Sequence, residues 1–434
     1  MGIPFVQNAK TMGKYRWVVY GVVVITYFFV YFHRLSVGIV RNELIAAFAM
    51  SATAFANLGA MYFYAYMFMQ IPTGILADTL GARKTVTVGS LVTGLGAILF
   101  GLAPTGTYAY IGRMLVGLGV SVTYICLLKI QTVWFEESKF GTMTGIAGFI
   151  GHIGGVIAQT PLAYMVLVFT WRYTFVGVGL ISLILAVLCF VLVRDYPEDL
   201  GFQPLVGNKS KKDLTYKMNK TIIKEGLVNV AKNYRTWLSF IIITAYCGTY
   251  FVLTGTWGVG FLSDVYNMEM IEGSKYISIL VFGAAIGSLV IGVFSDRIKS
   301  RKKPLLLFGT LVNILWYFLL YKEPSLNMLA VLMFILGVVY MCFTMTWALG
   351  KESNDPKYSG MAISVVNLGG FLGGAIVPVL VGNVFDRYQG IFSGIMLYRK
   401  GFMICIIVNL IALAVSMFVK ETKCKNIYSS PIKL

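Results

Sequence analysis

One turn occurs twice in this chain, and that recurrence constrains the fold more than any other feature. From Gly74 the sequence reads Gly-Ile-Leu-Ala-Asp-Thr-Leu-Gly-Ala-Arg-Lys, and from Gly292 it reads Gly-Val-Phe-Ser-Asp-Arg-Ile-Lys-Ser-Arg-Lys. Gly74, Asp78, Arg83 and Lys84 map onto Gly292, Asp296, Arg301 and Lys302 at an offset of about 218 residues. A glycine pattern repeats alongside it. Gly151-His152-Ile153-Gly154-Gly155 corresponds to Gly370-Phe371-Leu372-Gly373-Gly374, and Gly141 to Gly360, at an offset of about 219. Long apolar runs flank each turn. Runs joined by so few residues must lie antiparallel and adjacent, so the chain reads as two halves with one order of helices.

Those runs are membrane helices. Of 434 residues, 58% are hydrophobic and 12% charged, the mean hydropathy is +0.77, and a soluble domain carries about 25% charged residues. At about 20 residues per span plus short loops, the length accommodates about twelve helices. The net charge of +18 fits the positive-inside rule better than nucleic-acid binding. Lys and Arg cluster at Lys10, Lys14 and Arg16, in both repeated turns, between Lys209 and Arg235, and in the tail at Lys420, Lys423, Lys425 and Lys433, while Gly101–Tyr110 has none. This asymmetry predicts cytoplasmic termini and a cytoplasmic central loop. The first apolar segment is too long for a cleaved leader and lacks a small-residue cleavage site. Cys126, Cys189, Cys247, Cys342 and Cys405 lie in apolar runs and read as small core residues. No Ser/His/Asp, zinc or phosphate-loop spacing occurs, and there are only two histidines, so an enzyme is not expected and neither is a cofactor or metal.

Polar residues within apolar runs are the candidate site. Helix 1, from about Trp17 to Val40, carries Tyr27, Tyr31 and Arg34 on one face, with His33 beside it. An arginine at helix centre costs about 2.5–3.5 kcal/mol and is tolerated where it lines a watery cavity or meets an anion. Arg41 already marks the end of that helix, so Arg34 reads as a cavity residue rather than a snorkelling one. His152 in helix 5 is a substrate or proton site on the same reasoning. Trp257 on helix 7 and Asn367 on helix 11 are the added candidates in the second half. Asp78 stands near a helix end, where a carboxylate opposes the dipole. It therefore calls for the Arg83/Lys84 pair or another helix's N-terminus. The aromatic run Tyr62–Tyr66 reads mostly as packing.

The spacing Gly74-x-Leu76-x-Asp78-x-x-Gly81-x-Arg83-Lys84 resembles the loop signature of the major facilitator superfamily. The resemblance implies an all-α membrane protein of twelve transmembrane helices in two pseudo-symmetric six-helix halves, residues 1–194 and 236–434, joined by a basic cytoplasmic linker, 195–235. Substrate would bind between the halves near mid-membrane. Arg113-x-x-x-Gly117-x-Gly119 resembles a second superfamily motif, whose buried arginine is linked to proton transfer; close helix packing explains it equally well. Drug–proton antiporters carry Gly-Pro in helix 5 where this chain has Ile150-Gly151. The segment Arg194–Pro204 resembles the start of the central loop in anion-transporting branches. Arg34 with His152 is similar to the organophosphate antiporters, but the second arginine of that branch is missing: the repeat offset lands near Val252. A single arginine with tyrosines suits a carboxylate, as in the anion:cation symporters. No carboxylate stands at mid-helix, so any proton coupling would fall to His152 or His33, or protons would enter with a protonated substrate.

The resulting expectation is a monomeric secondary transporter in the cytoplasmic membrane, moving a small organic anion between lipid-separated compartments by symport. Arg34, Tyr31, His33, His152, Trp257 and Asn367 would touch substrate. Arg113, Asp78, Arg83, Asp296 and Arg301 would serve coupling or gating. An exporter of drug-like metabolites and a membrane sensor on the same fold are the rival readings.

Overall fold

The computed structural model describes residues 9–202 and 220–428. Among these, helices supply all the regular structure; one isolated bridge joins Gln389 to Phe392. Among the described residues eleven helices are long and apolar enough to cross a membrane, and Ala52–Leu80, at 29 residues, is a further long helix. In chain order α1 is Ala9–Leu35, continued by a 3-10 segment, Ser36–Val40, and a short helix, Arg41–Phe48. Then come α2 (Ala52–Leu80), α3 (Ala82–Gly101), and α4 (Gly106–Val120, continued as Thr123–Trp134). Next, α5 is Phe140–Ile157, and Thr160–Leu192 breaks at Thr170 (φ 62°), so that 160–169 extends α5 and 171–192 forms α6. In the second half α7 is Tyr234–Phe251, continued by a π-helical segment, Val252–Trp257, and by Gly258–Tyr266. It is followed by α8 (Met270–Arg297), α9 (Lys302–Tyr321), α10 (Leu326–Tyr340, resuming as Met345–Glu352), α11 (Ser359–Tyr388) and α12 (Gly394–Phe418).

Large apolar side chains stand outward on these helices, among them Phe68, Leu167, Val168, Tyr173 and Phe418. In water such a surface would be a liability; against lipid tails it is the expected exterior, because each helix satisfies its own backbone. Five cysteines are buried as free thiols and Cys424 is half-buried.

The sequence repeat is also a packing repeat. Gly154 on α5 lies against the Phe28 carbonyl of α1, and Gly373 on α11 lies against the Thr244 carbonyl of α7; a Cβ at either would collide with that oxygen. Small residues let the two backbones approach this closely. The turns repeat as well. Gly81 has φ +86°, and Lys299, at the same repeat position, has φ +48°.

The chain forms two compact units. One comprises Met1–Arg34, Tyr64–Ala158 and Met165–Lys217; the other comprises Leu35–Phe63, Gln159–Tyr164 and Met218–Leu434. The second unit thus takes the end of α1, the start of α2 and the middle of α5 from the first half of the sequence. Part of the linker is the helix Lys220–Lys232, whose Val230 packs on Tyr358 and Ala362. The rest of the lysine-rich linker, 203–219, and Lys433 lie outside the described residues.

Candidate functional site

In the first unit Arg34 is the centre of an aromatic cluster. Its guanidinium carbon lies 4.8 Å from the Tyr31 ring centroid and 5.6 Å from that of Tyr66. The Tyr31 ring is 5.0 Å from the His152 ring. His152 Nδ1 is 2.9 Å from the Gly148 carbonyl; a carbonyl only accepts, so Nδ1 is the donor, which leaves Nε2 as the ring nitrogen not engaged by that bond. Behind them Tyr27 packs edge-on to Tyr31 and stacks on Tyr124. Gly151 makes room for both tyrosines, since a Cβ there would press on Tyr31 and Tyr27. Arg34, Tyr31 and His152 are only half-buried, whereas Tyr27 and Tyr66 are buried. The cluster thus sets a cation against ring faces, with a histidine one ring away, which is the kind of charge and donor set that attracts an anion.

His33 goes elsewhere. It is fully buried, its Nε2 lies 3.4 Å from Ser182 Oγ, and its backbone carbonyl accepts from Arg113 Nη1 at 3.0 Å. Consecutive helix residues point about 100° apart, which separates His33 from the Arg34 face. Arg113 is itself buried and stands two turns inside α4, which starts at Gly106.

In the second unit Trp257 has no exposed surface. Its indole N–H donates to the Pro378 carbonyl at 3.0 Å, and Arg41 lies 5.4 Å above its ring. Trp257 therefore belongs to the packing beneath an ion pair: Arg41 Nη1 meets Asp264 Oδ2 at 3.0 Å, and the Tyr398 hydroxyl donates to the same oxygen at 2.7 Å. Gly260 leaves space for the Arg41 guanidinium. Nearby, Asp386 on α11 accepts from the Ala52 and Thr53 N–H groups at 2.7 and 2.8 Å, holding the start of α2. Asn367 is half-buried on α11. Trp347 on α10 is also half-buried, with its indole nitrogen buried and without a hydrogen-bond partner.

The first signature turn uses a partner that the sequence did not suggest, whereas the second keeps its own acid–arginine pair and adds a partner. Asp78 pairs with Lys129 of α4 at 3.0 Å, not with Arg83. Arg83 donates to the Phe190 carbonyl at 2.9 and 2.6 Å, and its backbone N–H donates to Asp195 at 2.8 Å. In the second turn Arg301 meets Asp296 at 2.7 Å and Glu352 at 3.1 Å. Burial alone would lower the Arg301 pKa, but the Glu352 carboxylate beside it outweighs burial and raises it. Glu421 holds the start of α9, accepting from the Arg301 and Lys302 N–H groups at 2.9 and 3.2 Å and from the Ser300 hydroxyl. Burial opposes ionisation of Glu421, yet these donors pull its pKa below the ordinary carboxylate value. No sequence signal pointed to Lys129, Glu352, Glu421 or Tyr66. For Asp195, the glycine at Gly81 was an available one, because a Cβ there would collide with that carboxylate.

Comparison with known proteins adds the family. Residues 23–378 and 276–427 match the profile of the Major Facilitator Superfamily. A probable sulfoacetate transporter of Cupriavidus necator is 23% identical, over 86% of this chain and 88% of its own. A probable L-galactonate transporter of Escherichia coli is 24% identical, over 86% of this chain and 83% of its own. A bacterial homologue of the human lysosomal transporter Spinster superposes with a TM-score of 0.77 at 18% identity, covering 93% of this chain and 97% of that one.

Proposed function

The chain belongs to the major facilitator superfamily, and from that premise we propose that it is an alternating-access secondary transporter whose substrate is a small organic anion, a carboxylate. It is a multi-pass membrane protein. The observation that carries the substrate class is the half-buried Arg34 among Tyr31, Tyr66 and His152. A guanidinium matches the two oxygens of a carboxylate with two parallel hydrogen bonds. The second half offers Val252, fully buried, where a second arginine would be needed for a phosphate clamp. Relatives named for sulfoacetate and L-galactonate support an organic anion.

In this reading residues 1–194 and 236–434 are the halves that rock about the site. The termini and signature turns face the cytoplasm, and the Arg41–Asp264 pair faces outward. Asn367 is the second half's own candidate for substrate contact, and His152 takes up the coupled proton through Nε2. Arg113 ties α4 to the His33 carbonyl and transmits motion, while the signature turns gate the inner side. The transporter works as a monomer, without cofactor and without catalysing a reaction. A thermal-shift screen of purified protein against carboxylates, sugar phosphates and drug-like cations tests the class, since a ligand that binds only the folded state raises its stability. Carboxylates should shift the transition. A shift with cations alone would overturn the reading.

A further inference from the structure

Both halves begin with a helix whose winding changes at one repeat position. In α1 the change is the 3-10 segment Ser36–Val40, and in α7 it is the π segment Val252–Trp257. Such changes of winding recur at functional sites. Here the two irregular segments touch backbone to backbone: a Cβ on Gly38 would lie 3.0 Å from the Gly255 carbonyl and the Thr256 nitrogen. Between them stands Gln159, at the break in α5. Its Nε2 donates to the Leu35 carbonyl at 3.4 Å and to the Thr254 carbonyl at 3.1 Å. Gln159, Leu35 and Thr254 are each at most 2% exposed. Thr160, the next residue, extends the link to α8 through the Ser278 hydroxyl at 2.9 Å.

We propose that the Gln159 carboxamide is the clamp that holds the outer gate shut. A primary amide has two N–H donors on one nitrogen, so it can bridge two carbonyls only while both are within reach. One carbonyl belongs to the first helix of the first half, the other to the first helix of the second. Parting these helices to open the gate breaks at least one bond and exposes the amide and both carbonyls to water. The bridge therefore stabilises the closed gate alone, which makes Gln159 a positioning residue for the transport cycle. This inference rests on the alternating-access reading above.

The experiment places a reporter cysteine at Val259, a buried residue beside the Gly38–Arg41 stretch, and measures its labelling by a membrane-impermeant maleimide in right-side-out vesicles. With Gln159 intact, labelling is slow. In Gln159→Leu, which has no donor, and in Gln159→Glu, which has none as a carboxylate and only one as a buried neutral acid, the two-carbonyl bridge is lost and labelling should rise about tenfold, as expected for losing roughly 1–2 kcal/mol of closed-state hydrogen bonding. Where Gln159→Leu does not fold, Gln159→Glu carries the test. A control variant, Thr249→Val, loses the buried hydrogen bond to Asn409 and with it stability; it should leave labelling unchanged, which separates gating from general weakening. Equal labelling in wild type and both folded Gln159 variants overturns the clamp. Labelling needs no substrate, so a protein that never accumulates a carboxylate would sink the transport reading and leave this comparison intact.

Discussion

In the first signature turn Asp78 leans on Lys129 of the neighbouring helix α4 and Arg83 is left to a carbonyl, whereas in the second Arg301 gathers both Asp296 and Glu352. The repeat offset explains the exchange. Lys129 corresponds to Trp347 and Trp134 corresponds to Glu352. In the first half α4 offers a cation, which takes the acid of the turn. In the second half α10 offers an acid, which takes the arginine. A shared motif thus fixes the turn, while its electrostatic partner is chosen by one residue on a helix some 50 positions away. One feature is common to both turns. A carboxylate following the sixth helix of each half, Asp195 or Glu421, accepts backbone N–H groups where the third helix of that half begins. That is where the helix dipole favours negative charge.

The difference can be broken most severely at Glu352. Its side chain and that of Arg301 are 12% and 13% exposed, so the pair is largely but not fully buried, and removing one partner of a fully buried pair costs about 3–5 kcal/mol. Arg301 keeps Asp296, so Glu352→Ala should lose about 3 kcal/mol, the lower end of that range, measured by denaturant unfolding in detergent. A loss no larger than that of Asp78→Asn would mean that the two turns are energetically alike.

The shared feature should titrate. The Glu421 carboxyl is depressed in the folded protein, so the unfolded chain binds more protons as pH falls toward the ordinary carboxyl value, about 4.3. Its contribution is therefore fully present at neutral pH and is lost as acid protonates it. Glu421→Gln should be less stable than wild type by about 1 kcal/mol at pH 7, with the gap closing below about pH 4. A gap independent of pH would show that the carboxylate charge does not hold α9.

The smallest effect on stability belongs to Asp78, whose side chain is 61% exposed. Asp78→Asn should cost under about 1 kcal/mol yet slow uptake into vesicles, because the proposed transport cycle assigns its pair to an inner gate that must break and re-form. Uptake at the wild-type rate, at equal expression, would remove Asp78 from the gate.

The helices, the twofold repeat and the turns were legible in the sequence, because apolar length and glycine spacing are local. So was Arg34, since an arginine inside an apolar run needs a reason. Its partner Tyr66 was not, being one aromatic in a run of several. Trp257 looked like a binding aromatic but is sealed under Arg41, which only the packing of α7 reveals. Lys129 and Glu352 were hidden for a similar reason: ion pairs between helices depend on rotation about each axis. Gln159 stands in the sequence as one polar residue of an apolar run, and the role proposed for it rests on two carbonyls at irregular windings that no residue pattern announces.

The central claim is that Arg34 holds the substrate's charge. Direct binding of a carboxylate identified by the thermal screen should be measured on purified wild type, Arg34→Lys and Arg34→Ala. Losing a charge-assisted contact costs about 1.5–3 kcal/mol, so Arg34→Ala should bind roughly ten- to hundred-fold more weakly. Arg34→Lys, which keeps the charge without the planar fork, should fall between. Equal affinity in Arg34→Ala and wild type would contradict the account and move the anion site away from the Tyr31–Tyr66–His152 cluster.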